Sequence, residues 1–494
     1  MSIDDHDPFD ELQDRLKRLG SRALSDLESG TVVVLPSITF PIDELRKIVG
    51  IGRYEERLLC LLLLLATPKL EMVYVTSLPI DAIVTSYYLS FLDDPADAAK
   101  RLTLVTLDDV APTALSEKLL DRPDKVAELR GLVAGKDAYL LPFNVTAAER
   151  AIATEIGAPV YGPRPGLAYN GSKSGSRHVA REAGVAVPVG TEDLHSLAAV
   201  DAALRAIKEQ RPDARSAVVK LNQGFSGQGN AVVDLGAFAG GAVAGKAVGT
   251  ATTFCASEES WASFGPKIER DGAIAEEMIR APGMVSPSVQ MRVAPDGSVE
   301  VLSTHDQILG GPDNQVYLGC RFPAHPTYRA AIVEAAARIG KVLAGKGVVG
   351  AFGMDFLVVP PAGDPAGTPD IYLSEINLRL GGTSHPFYMA RFATRGTYDQ
   401  ATGELITPHG PVAYVATDNL KSERYRSLTP NRVVEELRAR GLAFDPGASS
   451  GVTLHLLGAL TEHGKLGATC IAHGYEAADD LYADFVATLD DLAP

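Results

Sequence analysis

Cysteine, tryptophan and long apolar runs are all scarce in this sequence of 494 residues, which has one tryptophan. Its four cysteines, Cys60, Cys255, Cys320 and Cys470, lie far apart. They show neither the paired spacing of a zinc site nor the density of a disulfide-rich secreted domain. The sequence therefore predicts reduced thiols and a cytoplasmic location.

The one strongly apolar run, Leu58 to Ala66, is bounded by Arg57 and Lys69. It is far shorter than the roughly 20 residues that span a bilayer, so we expect a buried helix there. The segment Met1 to Arg15 is polar and acidic, unlike a secretory signal. No membrane partner is expected.

Positive charge is also in deficit, because 62 acidic residues face 46 basic ones and the formal net charge is -16. Such a field repels a phosphate backbone, so nucleic acid is not an expected partner. The same field opposes ATP. A nucleotide site in this chain must therefore gather its own lysines, arginines or metal ions.

The composition is that of an ordinary folded protein, with 46% hydrophobic and 22% charged residues. The length exceeds what one core supports and suggests about three units. Short apolar strands at Thr31 to Pro36, Met72 to Ser77 and Leu102 to Leu107 alternate with helical patterns. This alternation predicts an N-terminal parallel α/β domain over residues 1–165.

The second predicted unit, residues 166–400, has a different character. A helix pattern over Gly171 to Ala183 precedes a region of strand patterns that predicts an antiparallel sheet. These strand patterns are Ser216 to Leu221, Asn230 to Asp234, Ala273 to Ile279, Val285 to Val293 and Val299 to Thr304. An Ala-rich helix over Pro326 to Gly345 is followed by a strand pair, Ala351 to Val359 and Ile371 to Leu378.

Residues 401–494 are predicted to form an appended C-terminal α/β extension. Thr429-Pro430-Asn431 is typical of a helix start. Two strand patterns, Gly451 to Leu457 and Leu466 to Ala472, flank a turn at His463-Gly464.

The most informative segment is Glu375-Ile376-Asn377-Leu378-Arg379. Strand side chains alternate between faces, so Glu375, Asn377 and Arg379 share one face. A carboxylate and an amide are hard oxygen ligands suited to magnesium, and an arginine adds a donor fork for phosphate. Solvated charges on a surface hairpin are the alternative.

Asp355 lies on the preceding strand, in Gly353-Met354-Asp355. If the two strands pair symmetrically about their connecting loop, Asp355 falls beside Ser374 and Glu375. A two-metal cluster that neutralises the charge of a phosphoryl transfer is then geometrically reasonable.

A second segment of interest is an apolar strand that ends in Lys220 and continues into a glycine-rich turn, Gly224 to Gly229. Glycines let backbone amides approach phosphates, and the lysine supplies fixed positive charge. No helix pattern and no Gly-Lys-Ser/Thr follows, so this is not a Walker loop. A flexible hairpin is the alternative.

Taken with Lys173 before a helix and the acidic strand end Glu276-Glu277-Met278-Ile279, these motifs in this order resemble the ATP-grasp superfamily. The resemblance covers roughly Tyr161 to Phe392. It implies an ATP-grasp fold, antiparallel sheets flanked by helices, preceded by the parallel α/β domain.

The resemblance also implies roles for single residues. Lys173 and Lys220 would contact the phosphates of ATP, and the loop Gly224 to Gly229, with Ser226 and Gly227, would close over them. Glu276 would meet the adenine amino group, and the backbone of Ile279 the ring. Asp355, Glu375 and Asn377 would hold two Mg²⁺ ions. A family glutamate for the ribose has no counterpart, because Gly283-Met284-Val285-Ser286 stands there.

More narrowly, the chain resembles the peptide ligases of the pheganomycin type. That similarity rests on Ile51 to Arg57, Gly381 to Pro386 and Gly451 to Ala472. It implies an ATP-dependent carboxylate-amine ligase of natural-product biosynthesis that forms an amide bond through an acyl phosphate.

Substrate-side candidates are Arg292, Arg321 and His385, because a positive fork near the metal suits a carboxylate substrate. Arg379 and Arg292 are the predicted catalytic residues. Surface strand positions for the arginines and a packed loop for His385 are the alternatives. The expected partners are small-molecule or peptide substrates, a carboxylate and an amine, with a homodimer as the default assembly. Two rival functions stay open: a phosphotransferase on the same scaffold, and a nucleotide-binding module without catalysis.

Overall fold

The structure is a computed structural model that describes residues 7–224, 229–238, 252–311, 316–363 and 367–493. The predicted α/β architecture is confirmed. Within the described residues, no helix combines the length and apolar character needed to cross a membrane.

A parallel sheet forms the N-terminal region, as the sequence predicts. Its strands are β1 (Ser29–Leu35), β2 (Lys69–Thr76), β3 (Leu102–Thr106) and β4 (Ala138–Pro142), in the order β3-β2-β1-β4. The helices of this region are Pro8–Asp14, Ile42–Leu45, Ala82–Leu89, Pro95–Lys100, Leu115–Leu120, Pro123–Val133 and Ala147–Ile156. Short 3-10 helices span Arg15–Leu19 and Leu24–Asp26.

The apolar run forms part of a longer 3-10 helix, Ile51–Ala66. Leu59 and Leu62 are fully enclosed, and every residue from Leu58 to Leu65 is buried. This burial accounts for the unbroken run of apolar residues, because a helix that is apolar on all sides must be surrounded by protein. The expected buried helix is confirmed.

A small antiparallel sheet follows the first domain. Its strands are β5 (Gly190–Leu194), β6 (Ser216–Leu221), β7 (Asn230–Asp234), β8 (Thr252–Phe254) and β9 (Ala273–Glu277), in the order β5-β9-β6-β7-β8. Helices Lys173–Glu182, Leu197–Gln210 and Trp261–Asp271 belong to this region, with 3-10 helices Pro165–Gly171 and Leu235–Phe238.

A larger sheet contains the remaining strands. These are β10 (Pro287–Val293), β11 (Val299–Gly310), β12 (Val316–Phe322), β13 (Gly350–Val359), β14 (Asp370–Asn377), β15 (Thr397–Asp399), β16 (Glu404–Thr407), β17 (Gly410–Lys421), β18 (Gly451–His455) and β19 (Lys465–Ala472). The order is β14-β13-β10-β11-β12-β17-β16-β15, with β19 also paired to β17, and β18 to β19. Its helices are Pro326–Gly345, Ser384–Ala393, Pro430–Ala439, Ala459–His463 and Tyr475–Leu492, with the 3-10 helix Glu423–Ser427.

The expectation of one antiparallel sheet between Ser216 and Thr304 is wrong. Strands β6, β7 and β9 belong to the small sheet, whereas β10 and β11 belong to the large one. The chain leaves the small sheet after Glu277 and enters the large sheet at Pro287. Alternation of side chains marks a strand but carries no information about its partner.

Residues 401–494 complete the large sheet, because β17 pairs with β12 through Cys320 and Ala416. They also share a hydrophobic core with the N-terminal region, in which Leu59 and Leu62 pack in one cluster with Leu460 and Phe485. The division at residues 165 and 400 stays a prediction. The helix start at Thr429 is confirmed, since its hydroxyl accepts a hydrogen bond from the Arg432 N–H.

Candidate active site

A cavity of about 680 Å³ lies between the small sheet and the large one. Lys220 of β6 and Glu276 of β9 line one side, and Asp355 of β13 with Glu375 of β14 lines the other. The residues selected from the sequence for phosphate and metal thus face one space. Buried or partly buried sites strengthen the interactions between such charges.

The acidic residues lie on two paired strands. Asp355 and Glu375 are direct partners in the antiparallel β13–β14 pair. The Asn377 side-chain amide donates to Asp355 Oδ2 at 3.0 Å and to Glu375 Oε1 at 2.9 Å. Gln307 of β11 donates to Asp355 Oδ1 at 2.6 Å. The pairing is not the symmetric one expected from the sequence, because a bulge at Ser374 sets Glu375 rather than Ser374 opposite Asp355.

Two lysines enter the same space from different elements. Lys173 begins the helix Lys173–Glu182, which Ser172 caps, and its Nζ pairs with Glu375 Oε2. A Cβ at Gly175 would overlap the Tyr169 carbonyl group, so glycine permits the close approach of this helix to the preceding turn. Lys220 Nζ lies 2.8 Å from Glu276 Oε1 and 3.3 Å from Ser374 Oγ.

Burial perturbs the proton affinities of the cluster. Burial raises the pKa of Asp355 to about 6, although the nearby cations Lys173, Arg379 and Lys220 oppose the shift. Burial, assisted by the positive charges of Lys220 and Arg379, lowers the pKa of Lys173 to about 7. Burial also lowers the pKa of Arg379 to about 10. Each group holds its charge at a cost that an added ligand of opposite charge would relieve.

Glu276 is fully engaged within the protein. Its second oxygen, Oε2, accepts a hydrogen bond from Arg177 Nη1 at 2.6 Å, while Oε1 pairs with Lys220. Arg177 is 1% exposed and also pairs with Glu192. Glu276 therefore positions Lys220, and its predicted contact with an adenine amino group stays a prediction.

The segment after β9 borders the cavity. Met278 N–H donates to the Ser216 carbonyl at 3.0 Å, and Ile279 follows at the cavity wall. Met284, Val285 and Ser286 line the same cavity. The stretch that lacks the family's ribose glutamate therefore borders the space into which a nucleotide would fit.

The base of the glycine-rich turn is closed. Leu221 N–H donates to the Gly229 carbonyl at 2.9 Å, and Gly224 lies against Gly229. A Cβ at Gly229 would come within 3.2 Å of the Gly224 Cα, so small residues suit this close approach. Ser226 and Gly227 lie outside the described residues.

Two of the predicted catalytic and substrate-side arginines, Arg379 and Arg321, line the cavity. The guanidinium carbon of Arg379 lies 5.3 Å from the ring centroid of Phe40 and 5.8 Å from that of Phe143. Arg321 Nε donates to Asp479 Oδ1 at 2.9 Å.

Arg292 does not line the cavity, and its catalytic role stays a prediction. It donates to Glu300 at 2.8 Å, to the Tyr161 hydroxyl at 3.0 Å and to the Ser21 carbonyl at 2.9 Å. Arg292 lies two positions beyond Gln290, which lines the cavity, and the strand carries it past the cavity to the N-terminal region. Arg292 joins β10 to the N-terminal region instead.

His385 lies outside the cavity as well, on the helix Ser384–Ala393. Its Nε2 lies 3.1 Å from Nε2 of His455, which the sequence left without a partner. Burial lowers the pKa of both histidines, to about 4 for His455, so both are neutral near pH 7.

The sequence did not indicate several residues that line the cavity or, in the case of Arg177, contact Glu276 of its wall. Gln307, Ser374 and Arg177 sit in ordinary strand or helix patterns, and only folding places them beside the charged groups. Arg57 lines the cavity and pairs with Asp418 at 3.1 Å. The segment that contains it, Ile51 to Arg57, was noted for its resemblance to the peptide ligases. That resemblance was the signal in the sequence that could have pointed to Arg57.

The donor set of Asp355, Glu375 and Asn377 fits Mg²⁺. Within the described ranges, no group of three histidine, cysteine or acidic side chains could form an all-protein metal cage. Two carboxylates with one amide leave coordination positions for phosphate and water, as Mg²⁺ prefers. Rotation of the Asn377 amide by 180° exchanges its nitrogen for its oxygen.

Comparisons with known proteins agree with this geometry. Two family models match, one described as IQCH-like, ATP-grasp over residues 248–401, and one as PGM1 C-terminal domain over residues 432–484. The L-propargylglycine--L-glutamate ligase of Streptantibioticus cattleyicolor is 36% identical over 435 residues, 86% of each chain. The IQ motif-containing protein H of Danio rerio is 21% identical, over 69% of this chain and 36% of that protein.

Solved structures show the same fold. The biotin carboxylase of Campylobacter jejuni, 16% identical, aligns with a TM-score of 0.55 over 91% of this chain and 89% of that one. The N5-carboxyaminoimidazole ribonucleotide synthetase of Thermus thermophilus, 15% identical, aligns with a TM-score of 0.53 over 94% and 98%. Sequence identity over nearly the whole chain, together with this fold, shows that the protein belongs to the ATP-grasp carboxylate-amine ligases.

Proposed function

We propose that this chain is a peptide ligase of natural-product biosynthesis that joins the carboxylate of one amino-acid substrate to the amine of another at the expense of ATP. The observation that carries the proposal is the convergence of Asp355, Glu375 and Asn377 with Lys173 and Lys220 in one cavity. The name of the Streptantibioticus relative, which couples two amino acids, supports the substrate class.

ATP occupies the cleft between the two sheets in this proposal. Its phosphates lie against Lys173 and Lys220, next to Gly224 and Gly229, and contacts with Ser226 and Gly227 stay predictions. Its adenine lies along Glu276 to Ile279. The lowered pKa of Lys173 supports the assignment, because a desolvated lysine gains most from a polyanion.

Asp355, Glu375 and Asn377 would hold Mg²⁺ on the opposite wall of the cavity. When bound, the metal neutralises phosphate charge that builds up during transfer. The three residues supply oxygen donors from two adjacent strands, a rigid base for that task.

The chemistry proceeds in two steps in which atoms balance. A carboxylate oxygen of the first substrate attacks the γ-phosphorus, the bond to the β,γ-bridging oxygen breaks, and ADP leaves. The neutral amine of the second substrate then attacks the acyl carbon, the bond from this carbon to the phosphate-bearing oxygen breaks, and phosphate leaves with the original carboxylate oxygen and the proton that the amine loses. Arg379 presents N–H donors to the negative oxygens in both steps, which suits a guanidinium fork.

Aromatic residues of the cavity wall help to protect the activated carboxylate. Tyr54, Phe143 and Tyr317 line it together with the charged groups. Water that reached an acyl phosphate would hydrolyse it, and exclusion of water also strengthens each charge contact.

A cytoplasmic location and a homodimer complete the proposal. All four cysteines are free and buried, as suits a reducing compartment. Closed two-fold assemblies are the commonest oligomers. Light scattering of the purified protein measures the assembly.

The test is a pairwise panel of amino acids with ATP and Mg²⁺, read by ADP formation and by product mass. The proposal predicts ADP release that needs both partners, together with a condensed product. A stable phosphorylated product in the absence of an amine would identify a phosphotransferase. Absence of turnover with every pair, despite ATP binding, would favour a module without catalysis.

A further inference from the structure

Arg57 is a buried arginine whose hydrogen-bonding capacity is mostly unused. Its side chain is 5% exposed, and its Nη1 lies 3.1 Å from Asp418 Oδ2. Among the described residues, Asp418 is the only hydrogen-bond acceptor that its guanidinium reaches. A guanidinium carries five N–H donors, and buried donors are normally satisfied. Arg57 lines the cavity, so the remaining donors face that space.

The plane of the guanidinium is fixed. Its carbon lies 4.7 Å from the ring centroid of Tyr54 and 5.2 Å from that of Phe143. The Tyr54 hydroxyl accepts a hydrogen bond of 2.6 Å from Lys465, and Asn419 donates to Asp418 Oδ1 at 2.9 Å. Ring contacts and a held carboxylate orient Arg57 before any ligand arrives, which lowers the cost of binding.

The place of Arg57 relative to the proposed phosphoryl transfer follows from a shared ring. Arg379 and Arg57 both contact Phe143, at 5.8 Å and 5.2 Å from its centroid. Arg379 interacts electrostatically with Asp355 and with Arg57, so it lies on the metal side of this pair. Arg57 is therefore one side chain farther from the reacting groups than Arg379.

The charge at this end of the cavity is positive. Arg57 and Lys465 lie close to Asp418, and Arg379, which also interacts with Asp355, adds a further positive charge near Arg57 in a chain whose formal net charge is -16. A buried ion pair that only joined the helix Ile51–Ala66 to β17 would need one cation for its one carboxylate, and the further positive charges would have no role. An anion of the ligand balances them.

We propose that Arg57, positioned by Asp418, binds a carboxylate of an amino-acid substrate other than the carboxylate that is activated. The inference rests on the proposed function and assigns the class of group recognised at the far end of the cavity. A planar fork that is held in place recognises a carboxylate by two parallel hydrogen bonds, which a carboxamide cannot accept equally. Arg57 is then a specificity-determining residue, and Asp418 is a positioning residue.

The experiment uses L-glutamate, L-glutamine and L-isoglutamine as probes, which differ by one carboxylate replaced by an amide at either position. Binding is measured by calorimetry in the presence of Mg²⁺ and a non-hydrolysable ATP analogue. The wild type is expected to lose about 10- to 100-fold in affinity for one of the two amides. Arg57→Met is expected to bind L-glutamate and that amide with affinities within about 3-fold of each other. Both affinities should equal that of the wild type for the amide.

Three further variants guard the interpretation. Arg57→Met/Asp418→Asn removes both charges of the buried pair, so it tests the same loss of discrimination if Arg57→Met alone does not fold. Asp418→Asn should weaken binding of L-glutamate and leave the affinity for the ATP analogue unchanged. Arg53→Met is the matched control, because Arg53 lies on the same helix but pairs with Glu462 outside the cavity.

The inference is overturned if the wild type does not prefer the carboxylate at either position, or if Arg57→Met and the double variant keep the preference. It is also overturned if Arg53→Met loses the preference to the same degree. Amine-dependent product formation is scored separately in the wild type, so failure of the proposed function remains distinguishable from failure of the Arg57 assignment.

Discussion

Asp355 and Glu375 are direct partners across β13 and β14, and the Asn377 amide spans them with bonds of 3.0 Å and 2.9 Å. Two carboxylates held this close repel each other unless a cation or a proton intervenes. Lys173 forms its ion pair with Glu375, and its charge acts on Asp355 as well. Asp355 depends on hydrogen bonds, and its raised pKa records the cost of its charge.

Asp355→Asn is expected to abolish turnover while preserving the fold. The pKa of Asp355 rises from 3.8 to about 6 in the folded protein, so its ionisation reduces stability as the pH rises from about 4 to about 6. Without Mg²⁺, the melting temperature of the variant relative to wild type should therefore be higher at pH 7.5 than at pH 4. Calorimetry in a chelator at both pH values tests this. Exposed Asp213→Asn is the control, and an equal difference at both pH values contradicts the prediction.

Asn377→Ala should lower turnover and raise the Mg²⁺ concentration needed for half-maximal ADP formation. The amide contributes coordination without charge, so the loss should be smaller than that for Glu375→Gln, which removes a negative charge from the metal site. A magnesium titration of ADP formation measures both. If Asn377→Ala leaves the magnesium dependence unchanged, the amide is not a ligand.

Lys220→Ala should weaken ATP binding by about 10- to 100-fold, since a charge-assisted contact in a buried site is lost. Lys208→Ala is the matched control. Lys208 lies on the helix Leu197–Gln210, away from the cavity, and donates to the carbonyls of Pro212 and Ala214. Equilibrium binding of an ATP analogue gives the comparison. Equal affinities in the two variants would remove Lys220 from the phosphate site.

Binding of ATP at pH 8 should take up a proton through Lys173. Its pKa of about 7 leaves the amine mostly neutral at pH 8, and adjacent phosphates would raise that value. Calorimetry in two buffers that differ in ionisation enthalpy measures the uptake. Lys173→Arg should bind without it, because a guanidinium stays charged at this pH. Wild-type heats that do not depend on the buffer would contradict the assignment.

Arg292→Met should lower stability and leave the Michaelis constant for ATP unchanged. Arg292 joins β10 to Tyr161 and to the Ser21 carbonyl, and the loss of a buried charged hydrogen bond costs about 1.5–3 kcal/mol. Thermal unfolding and steady-state kinetics separate the two effects. Loss of ATP affinity with an unchanged melting temperature would return Arg292 to the active site.

The sequence predicted most of the metal cluster because its spacing is local. Glu375 and Asn377 are two residues apart on a strand, and the adjoining hairpin brings Asp355 near them; the bulge at Ser374 that sets Asp355 opposite Glu375 was not predicted. The helix Pro326–Gly345 and the parallel N-terminal sheet were predictable for the same reason, since periodicity and turn residues lie within short stretches.

Long-range placement escaped prediction. Arg57 and Asp418 are separated by 361 positions, and nothing near either residue indicates the other. The position of Arg292 beyond the cavity and the division of strands between two sheets also depend on tertiary packing, which overrides local pattern. The C-terminal strands looked like an appended unit because their partner, β12, precedes them by about a hundred positions.

The most direct measurement of the central claim follows oxygen from substrate to phosphate. An amino-acid pair that supports ADP release is supplied with ¹⁸O in the carboxyl group of each partner in turn, and the released phosphate is analysed by mass. Activation as an acyl phosphate predicts one ¹⁸O per phosphate, in step with the amide product, from one partner only. Released phosphate that carries no ¹⁸O, whichever partner was labelled, would contradict the account, because neither carboxylate would have been phosphorylated.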